Sequence, residues 1–101
     1  MYELSQEDKE ILMNYRSYLE SEVSNSKDED FKKIIGKSIE LLSGEITAET
    51  LRNYLEVQVK NSKKSFEGLS ENSMNKINDI RIAAKQYGVM DVVKRYKEGS
   101  Q

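Results

Sequence analysis

The sequence predicts an all-α protein, an antiparallel up-down four-helix bundle followed by a short C-terminal helix or tail. Three amphipathic stretches each end in a glycine, at Gly44, Gly68 and Gly88. Glycine is favoured just past a helix end because it adopts a left-handed conformation without a Cβ clash. A hydroxyl residue that can cap the next helix follows the first two glycines, as Thr47 and Ser70. The loops are short, which makes successive helices antiparallel.

The first helix is predicted from Ser5 to about Ser24, with Ser5 as its N-cap and Asp8 in the first turn. One apolar stripe follows the helical period. Its members are Leu4, Ile11, Leu12, Tyr15, Tyr18, Leu19 and Val23.

The second helix is predicted to begin after a capping box of Ser26 and Glu29 and to run to about Ser43. Its apolar set is Phe31, Ile34, Ile35, Ile39, Leu41 and Leu42. Gly36 lies within this helix, where glycine costs about 1 kcal/mol relative to alanine. It is either a tolerated weak point or a site where another segment approaches closely.

The third helix is predicted from Thr47 to about Phe66, with Leu55 central on its inner face. That face also holds Leu51, Tyr54, Val59, Ser62 and Phe66. The far end is basic, with Lys60, Lys63 and Lys64. These lysines suit the negative end of the helix dipole, and phosphate or lipid contact is the alternative interpretation.

The fourth helix is predicted from Ser70 to about Tyr87, and Ile82 lies off its apolar stripe. The stripe consists of Met74, Ile77, Ile80, Ala84 and Tyr87.

After Gly88, the apolar residues Val89, Val92, Val93 and Tyr96 follow the spacing of an amphipathic helix. A segment so short and so rich in valine is marginal alone in water, so it must dock on something. It either packs on its own bundle as a fifth helix or orders on a partner. The prediction is one domain over residues 1–101, with the bundle over about 5–87 and the appendage over about 88–101.

Composition argues against most catalytic and metal chemistry. The chain has no cysteine, no histidine and no proline. Zinc sites of the Cys/His type and histidine-dependent catalytic triads are therefore excluded. The acidic clusters lie in the first turns of predicted helices, where capping and the helix dipole explain them. We expect no catalytic residues, no metal and no cofactor.

Charge is distributed unevenly along the chain, although the net charge is only −2. Residues 1–50 carry 6 basic and 12 acidic side chains, and residues 51–101 carry 10 basic and 6 acidic ones. The two halves either present solvated faces of opposite sign that pack together, or the second half offers a basic surface to a negative partner. The basic residues are scattered over three segments and no groove-reading motif is present, so we expect no nucleic-acid binding.

Residues 31–90 carry four local sequence patterns. They are a helix ending in a leucine pair and a glycine loop (IELLSGE), a Leu-x-x-Tyr-Leu helix (LRNYL), a Leu-Ser entry (LSEN) and an Ile-x-x-Ala-Ala-x-x-x-Gly exit. With a length near 100 residues and a C-terminal extension, the chain resembles the immunity proteins of pediocin-like (class IIa) bacteriocins.

The resemblance implies a non-enzymatic cytoplasmic protein, partly associated with the membrane, that protects a bacterium from a pore-forming peptide. Its partner would be the bacteriocin's membrane receptor, the mannose phosphotransferase permease, with or without bound bacteriocin. The C-terminal part is the region that the family associates with recognition. Carried over, this gives eight partner-binding candidates: Val89, Met90, Val92, Val93, Lys94, Arg95, Tyr96 and Lys97.

We expect a monomer in which helices one to four serve as scaffold and the segment after Gly88 exchanges its apolar face between bundle and receptor at modest cost. Its basic residues would be attracted to an anionic membrane surface. The alternative function is a small helical adaptor or regulator, of the antitoxin or phage type, that binds one protein partner.

Overall fold

Five helices follow one another along residues 2–64 and 68–99, which are the residues that the computed structural model describes. They are α1 (Gln6–Ser24), α2 (Glu29–Leu41), α3 (Ala48–Lys64), α4 (Glu71–Tyr87) and α5 (Val89–Gly99). The all-α prediction is confirmed, as a helical bundle with a short fifth helix at the C-terminal end.

Three of the predicted helix starts are confirmed by their caps. The Ser5 side chain accepts a hydrogen bond from the Asp8 amide at 3.0 Å, and the Ser70 side chain accepts one from the Ser73 amide at 3.1 Å. In the same way, the Thr47 hydroxyl accepts a hydrogen bond from the Thr50 amide at 3.2 Å. Each bond satisfies one of the backbone donors that a helix leaves free in its first turn.

The predicted start of α2 is wrong by two residues, because Asp28 and not Ser26 is its N-cap. The Asp28 carboxylate accepts the Phe31 amide at 3.1 Å, while the Ser26 hydroxyl accepts the Asp28 amide one step earlier. Asp28 also accepts the hydroxyl of Ser73, at the start of α4. This contact joins the first turns of α2 and α4. The two oxygens of the Asp28 carboxylate allow it to cap α2 and to accept the Ser73 hydroxyl at the same time. At its other end α2 stops at Leu41, short of the predicted Ser43.

We predict that acid weakens this junction. The hydrogen bond from Ser73, together with the Phe31 amide and the nearby Lys76 ammonium, lowers the pKa of Asp28 below its usual range. The ionised carboxylate therefore adds stability that is present above the unfolded-state pKa of about 3.9 and is lost as pH falls through the lower folded-state value. The test is to measure the free energy of unfolding by urea titration at about pH 6 and at about pH 3. Between these two pH values, Asp28→Asn should lose less stability than wild type, because asparagine can still cap the helix but carries no charge to lose.

Asp30→Asn is the matched control for this experiment, because Asp30 is an exposed carboxylate in the same helical turn. It should show the wild-type loss of stability. An equal acid response of wild type and Asp28→Asn would contradict the role given to the Asp28 charge.

The core is formed by apolar side chains from all five helices, from the segment before α1 and from the loop before α3. Leu12, Leu19, Leu42, Leu51 and Val92 have no exposed surface. Around them lie Leu4, Tyr15, Phe31, Ile35, Ile46, Tyr54, Ile77, Ile80, Ala84, Val89 and Val93. Each helix thus contributes one stripe, as the spacing predicts.

Some expected core positions lie elsewhere. Leu55 is half-buried, and Val59 and Met74 are 52% and 48% exposed. Ile82, which lies off the predicted stripe, is exposed. A Cβ added at Gly36 would meet no atom within 4 Å, so no close approach explains that glycine. Phe66 and the side chain of Ser62, also predicted for the inner face of α3, lie outside the part of the chain that the structure describes.

The position of α3 explains why its inner face is narrower than predicted. In the described part of the chain, α1 packs extensively against α2, α4 and α5. In addition, α2 packs against α3 and α4, and α4 packs against α5. The chain neighbours α3 and α4 are not among these pairings. The side of α3 that faces α4 and α5 therefore borders a groove.

Candidate functional site

The segment after α4 turns sharply at Gly88 and begins α5 at once. Gly88 has a φ of 92°, and its amide bonds the carbonyls of Ala84 and Lys85 at the end of α4. Its own carbonyl accepts the amides of Asp91 and Val92 in the first turn of α5. A side chain here would be strained by the positive φ. Because only one residue separates the two helices, α5 is held close to the end of α4, and it also packs on α1.

Three of the eight candidate residues lie in the core. Val89, Val92 and Val93 are 2%, 0% and 6% exposed. The fifth-helix alternative therefore describes this structure, in which α5 packs on the bundle. Burial of three valines argues against exchange of this face at modest cost, because each buried valine contributes about 1.5–3 kcal/mol.

Arg95 ties α5 to the first helix through a buried carboxylate. Its Nε lies 3.1 Å from Oδ1 of Asp8, and its terminal Nη2 bonds the same oxygen. Asp8 is only 2% exposed, so its charge depends on this partner for compensation. The hydrogen bonds that Arg95 donates to the Asp8 carboxylate raise the pKa of Arg95 above its usual value. Arg95 therefore has a structural task within the fold.

Tyr96 also contacts the N-terminal segment. Its ring meets the ring of Tyr2 edge-on, with the centroids 5.7 Å apart and the planes at 73°. Edge-to-face pairs of this kind are favourable because the positive ring edge meets the negative face. Tyr96 is half-buried as a result.

Met90, Lys94 and Lys97 are the candidates on the outer side of α5, which also carries the exposed acidic residues Asp91 and Glu98. Met90 is 52% exposed, and both lysines are exposed. We call these three residues the α5 outer face. They are the candidates that a partner can reach without displacing α5.

An apolar cavity of about 350 Å³ opens in the groove between α3 on one side and α4 and α5 on the other. Its wall includes Ile34 from α2, Leu55 from α3, Ile77 and Ile80 from α4, and Val89 and Met90 from α5. We call this cavity the α3–α5 groove. The exposed methionine of the α5 outer face therefore also forms one wall of the groove.

Polar groups on the floor of the groove are paired with one another. The hydroxyls of Tyr15 and Tyr54 lie 3.4 Å apart, and the Gln58 amide donates to the Ser38 hydroxyl at 3.2 Å. Burial raises the pKa of Tyr15 and of Tyr54 above the usual value for a phenol. Both tyrosines therefore remain neutral at physiological pH, and the floor carries no charge from them.

The rim of the groove is positively charged. Arg81 and Lys85 of α4 and Lys97 of α5 line it, and the described lining residues include no carboxylate. This is notable in a chain whose net charge is −2. An apolar interior with a basic rim suits a ligand that has an apolar body and a negative group.

Sequence reasoning missed the groove and found only part of its wall. Ile34, Leu55, Ile77 and Ile80 are in the predicted apolar sets, where they were expected to meet other helices. The excess of basic residues in the second half was a signal for the rim, because Arg81, Lys85 and Lys97 all come from residues 51–101.

Other properties of the described residues bear on chemistry. They contain no group of three or more acidic, histidine or cysteine side chains that could hold a metal ion. No helix among them is long and apolar enough to cross a membrane. Comparison of the chain with protein-family models, with curated proteins and with solved structures gives no match.

Proposed function

We propose that this protein is a non-enzymatic immunity protein that protects a bacterium from a pore-forming, pediocin-like bacteriocin. It acts as a cytoplasmic monomer on the inner side of the bacteriocin's membrane receptor, the mannose phosphotransferase permease. The bacteriocin and the receptor come from the family resemblance over residues 31–90. The geometry of α5 supports a protein-binding function.

The observation that carries the proposal is the division of α5 into an anchored side and an outer face. The valines and Arg95 hold the helix in place, while Met90, Lys94 and Lys97 are presented to solvent. A receptor at the inner side of a membrane lies beside an anionic lipid surface, which attracts basic residues. A helix that is anchored in the core and presents one apolar side chain and two cations therefore suits binding to a receptor beside an anionic membrane surface.

The roles of the chemistry-bearing side chains favour binding over catalysis. Asp8 is paired with Arg95, and Asp28 caps α2 and accepts Ser73. Tyr15 and Tyr54 stay protonated because burial raises their pKa. These groups already have structural partners, so binding accounts for the protein more simply than a reaction does.

The test is survival of a sensitive bacterium that expresses the protein and is challenged with a panel of pediocin-like bacteriocins. Wild type should protect against at least one of them. Lys94→Glu combined with Lys97→Glu should abolish most of that protection. At about 1 kcal/mol for each basic residue beside an anionic membrane, losing two corresponds to roughly 30-fold weaker attachment, and reversal adds repulsion.

The matched control is Lys33→Glu combined with Lys37→Glu, which makes the same change of charge at two exposed positions of α2. This variant should protect as well as wild type at equal abundance. Failure of wild type to protect against any member of the panel would contradict the immunity function. Protection by the Lys94/Lys97 variant equal to that of wild type would contradict the role of the α5 outer face.

A further inference from the structure

The α3–α5 groove has the dimensions of a small-molecule site. Its volume of about 350 Å³ lies at the lower end of the range of about 300–1,000 Å³ that is usual for ligand pockets. Four helices contribute apolar side chains to its wall, with Ile34, Leu55, Ile77 and Met90 among them. Since α2, α4 and α5 pack extensively on one another or on α1, and α3 packs on α2, the wall of the site is largely preformed.

The chemistry of the groove changes from its interior to its rim. The floor holds the neutral hydroxyl pair Tyr15–Tyr54 and the paired Gln58 and Ser38. The charged groups among its described lining residues are all cations, and Lys85 and Lys97 stand there on two different helices. A ligand that fits has an apolar portion to fill the interior and an anion to meet the rim.

We propose that the α3–α5 groove binds one long-chain carboxylate, with its hydrocarbon chain against the apolar wall and its carboxylate at Lys85 and Lys97. Complementarity of charge selects an anionic amphiphile over a neutral or cationic one. The small volume selects a single chain, since a phospholipid would bring two. This inference does not depend on the proposed immunity function.

The first experiment is calorimetric titration of the full chain with dodecanoate below its micelle concentration, followed by methyl NMR. Dodecanoate should bind at one site and shift the methyl signals of Met90, Ile34 and Ile77. Decanoate should bind roughly 15-fold more weakly, because each buried methylene contributes about 0.8 kcal/mol. Dodecyltrimethylammonium, with the same chain length and the opposite charge, should bind more weakly than dodecanoate.

Two variants test the position of the carboxylate. Lys85→Glu combined with Lys97→Glu should weaken dodecanoate binding by at least about tenfold, since a charge-assisted hydrogen bond is worth about 1.5–3 kcal/mol. The control pair Lys33→Glu and Lys37→Glu lies outside the groove and should bind as wild type does. A separate variant, Leu55→Trp, adds volume at a half-buried wall position and should reduce binding while leaving the charge unchanged.

Several outcomes would overturn the proposal. They are the absence of saturable binding, equal binding of the anionic and cationic probes, or equal weakening by the Lys85/Lys97 and Lys33/Lys37 pairs. Sedimentation with vesicles of phosphatidylcholine and phosphatidylglycerol separates a free carboxylate from a lipid surface. Attachment to vesicles without binding of monomeric dodecanoate would assign the basic rim to membranes and would also overturn the proposal.

Discussion

Ending the chain after Gly88, and so removing α5, should abolish cooperative folding. The deletion takes Val89, Val92 and Val93 out of the core, where each is at most 6% exposed. At about 1.5–3 kcal/mol for each buried valine, the loss is roughly 5–9 kcal/mol. The total stability of a small domain is about 5–15 kcal/mol, so the loss is comparable with the whole of it.

Loss of Arg95 in the same deletion adds a second destabilising effect. It removes the ion pair and the charge-assisted hydrogen bonds between the Arg95 guanidinium and the Asp8 carboxylate, which join α5 to α1 in the intact chain. Hydrogen bonds between charged groups are among the stronger ones in proteins. Urea unfolding followed by circular dichroism and by tyrosine fluorescence should therefore show no sharp common transition. Such a result would mean that a truncated protein cannot reveal whether α5 recognises a partner.

The control for the deletion is a full-length chain carrying Lys94→Ala and Lys97→Ala, which changes α5 at exposed positions and leaves the valines in place. It should unfold cooperatively with a midpoint close to that of wild type, because surface substitutions usually change stability by no more than about 0.5 kcal/mol. A deletion variant with the wild-type midpoint would show that α5 contributes no core.

Leu12→Ala should be among the most damaging single substitutions in the chain. Leu12 has no exposed surface, and it lies on the face of α1 that packs against α2, α4 and α5. Truncating a buried leucine removes its transfer energy and leaves a cavity, which together cost about 2–5 kcal/mol. Urea titration at neutral pH should show the midpoint shifting down by the corresponding amount with little change in slope.

Met13→Ala is the neighbouring control, since Met13 is the next residue of the same helix and is 44% exposed. It should change the unfolding free energy by about 0.5 kcal/mol or less. Equal losses for the two variants would mean that the stripe of α1 does not face the core in the way described.

Local signals predicted the order and extent of the helices well, because caps and left-handed glycines act within one turn of chain. Ser5, Thr47 and Ser70 accept the amides expected of them, and Gly88 has the positive φ that ends α4. At the start of α2, where both Ser26 and Asp28 could act as the cap, local sequence signals did not identify the right residue. Asp28 is the cap of α2, and it also accepts the hydroxyl of Ser73, which is 45 residues away.

The inner face of α3 could not be predicted as well, because apolar spacing does not say how many neighbours a helix has. The expected stripe fits a helix packed on two sides, whereas α3 packs extensively only on α2 among the described residues. Leu55 therefore borders a groove and Val59 is exposed. The groove itself depends on the spacing between helices, which the sequence pattern does not encode.

For α5, the spacing of the valines predicted the helix and its buried side. The spacing did not say whether that side packs on the bundle or on a partner, and in the structure it packs on the bundle. The pairing of Arg95 with Asp8 carried no sequence signal, since 87 residues separate them. Among the eight candidates, burial and internal contacts leave Met90, Lys94 and Lys97 as the accessible group. Their role in binding a partner stays a prediction.

The contact between Asp8 and Arg95 has a consequence for how the protein is made. A ribosome adds about 5–20 residues each second, so roughly 4–17 s pass between synthesis of Asp8 and synthesis of Arg95. During that time the buried side of α1 lacks the valines of α5, and its carboxylate lacks a counterion. The nascent chain therefore reaches its native packing only after α5 has emerged from the exit tunnel, and until then the apolar surface that the valines of α5 cover stays exposed.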